Sequence, residues 1–209
     1  EEVEQAKRDL PEYVFRELYL AEPNEDGANP FGINFINAAL QNGLSLLPVE
    51  FFGIDIAKSY DWTVITGLDK FGKVAYFDRF QKDWAQTKDT ILRLPNKPML
   101  IDSTGVGDSF VEDLHTIRHN ITGFKYTQES KQKLIAGLSQ AIQKSEIGIL
   151  PGVMQDELES FEFVYNPHTG AVKYSAPSGH HDDCANSLAL ANKCRIDRRH
   201  ETQFNYGFA

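Results

Sequence analysis

Phe51-Phe52-Gly53-Ile54-Asp55-Ile56 is an apolar, strand-forming run with one carboxylate near its end. Residues of this kind suit a pleated, half-buried surface. An ionised Asp at the mouth of such a strand is costly unless a cation, a donor or a metal faces it, although an Asp that merely starts a turn has the same local appearance. Met99-Leu100-Ile101-Asp102 repeats the arrangement, and His181-Asp182-Asp183 opens a late helical pattern.

Working outward, the run at 50–56 is followed by strand patterns at 62–68 and 74–80. The segment Asp69-Lys70-Phe71-Gly72-Lys73 between them is a hairpin signal. A short helix with Trp84, Ile91 and Leu94 on one side ends at Pro95 and Pro98, and 99–103 is the next strand. The spacing then predicts a helix over 106–118, a strand over 121–126 and a helix over 130–145 with Leu134, Ile135, Leu138, Ala141 and Ile142 on one face. A short apolar strand or edge at 147–150, a helical stretch at 153–161, a second hairpin at 163–176 and a final helix over 182–195 complete the pattern. Three hairpin-connected strands followed by alternating helices and strands make an α/β fold with a mixed sheet flanked by helices. The right-handed crossover rule makes the strand at 50–56 and the strand at 99–103 parallel neighbours. Their carboxyl ends, where open α/β sheets bind ligands, then lie side by side.

The ends of the chain read differently. Val3, Ala6 and Leu10, then Val14, Phe15 and Leu18 after Pro11, keep helical spacing, while 21–30 is rich in breakers, so the first fifty residues read as peripheral. The expected organisation is a helical linker segment at 1–47, a domain at 48–196 and a flexible polar tail at 197–209. The start at Glu-Glu-Val-Glu suggests an excised piece of a longer chain.

With 209 residues, 41% hydrophobic and 11% aromatic content, the chain has the composition of one folded soluble domain, and no apolar run reaches bilayer length. Cys184 and Cys194 lack zinc-site pairing and read as reduced, half-buried helix residues of a cytosolic protein. A formal net charge of −9 argues against binding phosphate through Lys and Arg, unless clustered acids hold divalent metal and reverse the local sign.

Asp55 and Asp102 converge if their strands are adjacent. Two carboxylates in an apolar surround repel and raise one another's pKa unless a cation lies between them. Hard cations such as Mg²⁺ or Mn²⁺ fit such oxygens. Asp182 and Asp183 suit a helix N-terminus as caps with no further role; Ala185, Leu188, Ala189 and Ala191 also allow that helix close onto the sheet, bringing both acids over the strand ends. Gly105-Val106-Gly107 lacks the Gly-Lys-Ser/Thr of a phosphate loop. His180 and His181 read as part of a polar loop rather than as a zinc site. Arg79, Lys82, Lys125, Lys131, Lys133, Lys144 and Lys173 supply dispersed positive charge, a DNA track only if the fold gathers them.

The strand ending Gly-Ile-Asp at 53–55, the strand ending Ile-Asp-Ser-Thr-Gly at 101–105, the segment Gln128-Glu129-Ser130-Lys131, and His181-Asp182-Asp183 with Ala185 and Leu188 together resemble the nuclease domain of a tailed-phage terminase large subunit. The resemblance spans roughly residues 50–195 by motif order and spacing, and Phe15-Arg16-Glu17-Leu18-Tyr19-Leu20 is similar to that family's segment between its ATPase and nuclease halves. It implies an RNase H-like fold and a metal-dependent endonuclease cutting concatemeric viral DNA during genome packaging. By position, Asp55, Asp102 and Asp183 match the family's metal-binding carboxylates, with Asp182 adjacent to them. Asp61 is an outer-shell candidate or a polar strand start, and Lys131 a group beside the scissile phosphate or a solvated helix-start lysine. The implied chemistry is phosphodiester hydrolysis with two Mg²⁺ or Mn²⁺ ions about 4 Å apart, Asp55 bridging them. Implied partners are double-stranded DNA, an ATPase domain in cis, portal and the small terminase subunit, with no membrane. The implied setting is the packaging motor in the cytoplasm of an infected bacterium, not the virion.

The same carboxylates suit another RNase H-like nuclease, such as a Holliday-junction resolvase or an RNA-strand hydrolase. A non-catalytic RNase H-like binding module would use them only as caps and turn formers.

Overall fold

The computed structural model describes residues 3, 19–20, 29–57, 62–105, 107–166, 171–177 and 179–206. Apart from residues 3, 19 and 20, the helical reading of the first twenty residues lies outside the described residues, as do the loop at 21–28, Asp61 and the hairpin turn at 167–170.

Three strands follow one another as expected: β1 (Phe51–Asp55), β2 (Thr63–Leu68) and β3 (Val74–Phe80), β1 antiparallel to β2 and β2 to β3. Asp69 makes the turn between β2 and β3: its Oδ1 accepts the Phe71 and Lys73 backbone N–H groups at 2.8 and 2.9 Å. Gly72 adopts φ 84° there, and a Cβ on it would stand 2.1 Å from the Glu146 carbonyl oxygen, so both conformation and space require glycine. Two further strands, β4 (Met99–Asp102) and β5 (Ile121–Phe124), are added in parallel on the other side of β1, giving the order β3-β2-β1-β4-β5. The helical crossover rule therefore placed β4 correctly beside β1.

Side chains alternate along these strands. Phe52, Ile54, Ile65, Met99, Ile101 and Ile121 meet two helices on one face, α2 (Trp84–Arg93) and α3 (Gly107–Ile117), through Ile91, Phe110, Val111 and Leu114. The other face, with Val64, Leu68 and Leu100, meets α1 (Ile33–Ala39), α4 (Gln128–Gln143), α5 (Val153–Ser160) and α6 (Asp183–Tyr206). Local signals set several of these ends. Asp83 caps α2 by accepting from the Gln86 N–H, and Thr127 and Ser130 form a reciprocal capping box at α4. A separate pair, β6 (Glu162–Asn166) and β7 (Ala171–Ser175), forms an antiparallel hairpin.

Helix α6 crosses directly over β1. A Cβ on Gly53 would lie 2.1 Å from the Ala191 nitrogen and 2.2 Å from the Ser187 carbonyl oxygen, so the helix backbone occupies the space a side chain would need. Ser187 Oγ donates to the Gly53 carbonyl at 2.9 Å and lies 2.9 Å from Thr66 Oγ1. Ala185, Leu188, Ala189 and Ala191 are all buried beneath the helix, as their small or apolar character predicts.

Four expectations change. Residues 29–47 are not peripheral: Phe31, Ile36 and Ala39 are in the core, Asn29 Nδ2 donates to the Leu158 and Glu159 carbonyls, and Gln41 bonds the Val74 backbone. The apolar stretch at 147–150 makes a single parallel bridge, Leu40 to Ile149, rather than a full strand. The last helix does not end near Arg195 but continues to Tyr206, because no Gly or Pro interrupts it before Gly207. Cys184 and Cys194 form no disulfide and are buried rather than half buried. Among the described residues no helix is long and apolar enough to cross a membrane.

Candidate metal centre

The β1–β4 register pairs Ile54 with Ile101, so the next residues, Asp55 and Asp102, emerge together at the carboxyl ends of two central parallel strands. Alternation turns both toward α6, away from Ile54 and Ile101. Docking of α6 on Gly53 then brings its first residue, Asp183, over the strand ends. Asp55, Asp102 and Asp183 are 7%, 4% and 7% exposed. Burial raises the Asp55 carboxyl well above the usual carboxylate range; the charges of Asp102 and Asp183, and more weakly Asp182, raise it further, opposed by a hydrogen bond from Asn186. The four acids predicted from sequence are thus within electrostatic reach of one another.

Each acid is held by a different local device. Thr104 fixes Asp102, its N–H and Oγ1 both reaching Asp102 Oδ1, at 2.8 and 2.5 Å. Asp182 holds the Lys131 ammonium at 3.0 Å, so Lys131 joins the cluster through an acid rather than standing free in solvent. His181 Nδ1 lies 3.5 Å from Asp183 Oδ2. Glu157 Oε2 accepts the Cys184 N–H at 2.6 Å, capping the first turn of α6, and Glu157 Oε1 faces the Arg79 guanidinium at 3.5 Å. Arg79 stacks over the Trp62 ring at 4.1 Å, which corrects its place in a DNA track: it is bound to the helix-capping glutamate. Lys125 and Lys133 are likewise paired, with Asp108 and Glu129, so local acids neutralise part of the dispersed positive charge instead of leaving it on one face.

The residues fit a hard divalent cation. The donors are carboxylate oxygens. Asn186 adds an acceptor: with its amide nitrogen directed to Asp55, its Oδ1 is buried with no hydrogen-bond partner among the described residues. A thiolate ligand is disfavoured, because burial and then the charge and hydrogen bond of Glu157 push the Cys184 thiol far up, keeping it protonated. Among the described residues no three His, Cys, Asp or Glu side chains stand at metal-ligand spacing.

Sequence reading missed Asn186, Thr104, Glu157 and Tyr126. Asn186 and Thr104 carried readable signals, three residues after Asp183 on one helical face and two after Asp102 in an Asx turn. Glu157 and Tyr126 reach the site only through tertiary packing.

The mixed sheet of order β3-β2-β1-β4-β5 flanked by helices is that of an RNase H-like domain. Residues 52–193 match the family described as the Terminase RNaseH-like domain, and the chain belongs to that family. Among solved structures, the large terminase nuclease of thermophilic phage G20c with bound magnesium superposes with TM-score 0.67 at 23% identity, covering 82% of this chain and 98% of that one. The nuclease domain of the Thermus phage P74-26 large terminase gives 0.61 at 20% identity, covering 76% and 92%. The large terminase of a further thermophilic bacteriophage gives 0.60 at 12% identity, covering 91% of this chain and 51% of that one. No match was found among curated protein sequences.

Proposed function

We propose that this chain is the nuclease domain of a terminase large subunit, a divalent-metal-dependent endonuclease that cuts concatemeric viral DNA during packaging. The observation that carries this reading is the convergence of buried Asp55, Asp102 and Asp183 on one side of the sheet, close enough for Asp102 and Asp183 to raise Asp55. A cation is the species that relieves such a set of like charges. Asp55, with Asp102 and Asp183 whose charges it feels, would hold the divalent cations, two Mg²⁺ or Mn²⁺ ions on this reading. When bound, the ions supply Lewis-acid charge and lower the pKa of water, the requirements of in-line phosphodiester hydrolysis. Thr104 fixes the Asp102 carboxylate, Asn186 orients Asp55, and the Glu157 cap holds the turn carrying Asp183. Lys131, anchored on Asp182, places one positive charge beside the acids, where it draws a phosphate.

The family match and the nuclease structures it superposes on support this reading; one of those was obtained with magnesium, and others with cobalt and zinc. We place the domain in cis with an ATPase half, in a packaging motor with portal and small subunit in the infected cell. The test is plasmid nicking in Mn²⁺ by the chain and by Asp55→Ala. Cutting by the first and not the second is expected; equal cutting by both refutes the assignment. Linear duplex, RNA–DNA hybrid and four-way junction substrates run in parallel would expose a different substrate preference.

A further inference from the structure

Tyr126 lies in the short connection between β5 and α4, and its phenol oxygen is buried with no hydrogen-bond partner among the described residues. The ring is well held. It packs edge-on against Phe124 with centroids 5.6 Å apart, and the Lys131 ammonium stands 5.6 Å from its centroid. Its backbone N–H donates at 2.8 Å to Thr104 Oγ1, the hydroxyl that itself donates to Asp102. Burial raises the phenol well above its ordinary range, and Asp55, Asp102, Asp182 and Asp183 each raise it further. The group is therefore a neutral O–H kept protonated in the field of all four acids, yet none of them accepts its proton. A buried donor left unmatched is unfavourable unless something outside the protein completes it.

Resting on the nuclease reading, we infer that Tyr126 is a further substrate-contacting residue, its O–H donating to an anionic non-bridging oxygen of the scissile phosphodiester. Beside a cluster of carboxylates, a fixed neutral donor is complementary to phosphate oxygen and adds no charge to compete with bound cations. It stabilises charge that grows during in-line displacement, so its effect falls on turnover more than on ground-state binding.

The test compares the wild-type chain with Tyr126→Phe and Asp55→Asn. Tyr126→Phe removes only an unmatched hydroxyl, so in EDTA it melts at or above the wild-type temperature, and by calorimetry it binds Mn²⁺ within about twofold of wild type. Its kcat on duplex DNA falls about ten- to a hundredfold with KM little changed. A lowered melting temperature or lost Mn²⁺ affinity in Tyr126→Phe would instead mark a structural residue and overturn the donor role. Wild-type cutting matched by Tyr126→Phe beside an inactive Asp55→Asn overturns the donor role alone. A wild-type chain that cuts no DNA in Mn²⁺ overturns the nuclease reading and the donor role with it.

Discussion

Replacing Gly53 by alanine tests whether the site depends on how closely α6 sits on β1. The added Cβ would stand 2.1 Å from the Ala191 nitrogen, 2.2 Å from the Ser187 carbonyl oxygen and 2.8 Å from the Ala191 Cα, where ordinary contact begins at 3.4 Å. All three atoms are backbone, so no side chain can rotate away, and the helix must retreat by about 1 Å or the strand must bend. Overpacking of this kind costs about 1–3 kcal/mol, occasionally more. The retreat also stretches the bond from Ser187 Oγ to the Gly53 carbonyl and the contact with Thr66, each contributing about 1 kcal/mol. A total near 3–5 kcal/mol lowers the melting temperature by about 10 °C in a domain of this size. Asp183 moves with α6, so the stabilisation on adding Mn²⁺, about 2.7 kcal/mol at a hundredfold excess over Kd for an intact site, shrinks as well. Circular-dichroism melts with and without Mn²⁺ measure both effects. A Gly53→Ala chain melting within about 2 °C of wild type, with an undiminished Mn²⁺ response, would refute the idea that α6 is seated on this glycine.

Two more perturbations separate electrostatics from packing. The Asp55 carboxyl titrates higher folded than unfolded, where its ordinary value is 3.8, so the folded chain retains a proton the unfolded chain has lost. The stability this brings is complete below that value and is lost as pH rises through the raised one; in EDTA the melting temperature falls across that window and Asp55→Asn flattens the fall. Parallel slopes in the two chains would contradict it. Glu157→Ala removes the acceptor of the Cys184 N–H and the carboxylate facing Arg79, and urea unfolding should show a loss of about 2–4 kcal/mol. A loss below about 1 kcal/mol would mean that the Trp62 ring alone compensates the guanidinium.

The order and type of most elements were legible because β1, β4 and α4 each carry an uninterrupted apolar period. The adjacency of β1 and β4, and hence the pairing of Asp55 with Asp102, followed from the handedness of crossovers rather than from any local signal. Residues 29–47 escape a sequence reading because α1 is only seven residues long, and its burial depends on contacts with residues more than a hundred positions away, such as the Asn29 bonds to Leu158 and Glu159. Arg79 misleads for a similar reason: a cation on a strand looks solvent-facing until the partners that enclose it, Trp62 and Glu157, are brought up by the fold. Tyr126 ends a predicted strand and carries no pattern of its own; only the position of its hydroxyl beside the acids distinguishes it.

Stability and function meet in α6. Its inner residues bury Gly53 and the surrounding strands, while its first turn carries Asp183 into a region already holding two buried acids. The N-terminal end of a helix favours negative charge, and Glu157 adds a hydrogen bond there, but a helix end is equivalent to only about half a positive charge. With Asp182 paired to Lys131, that is too little to offset the three buried carboxylates, one of which is driven well above its usual range by burial and by the others. The core beneath α6 must therefore hold the acids together against their own repulsion in the metal-free chain. On the metal-dependent reading, a bound cation would relieve that repulsion and read out as stabilisation of the whole domain. Substitutions that loosen α6 lower stability and metal affinity together, whereas neutralising Asp55 raises the first and destroys the second.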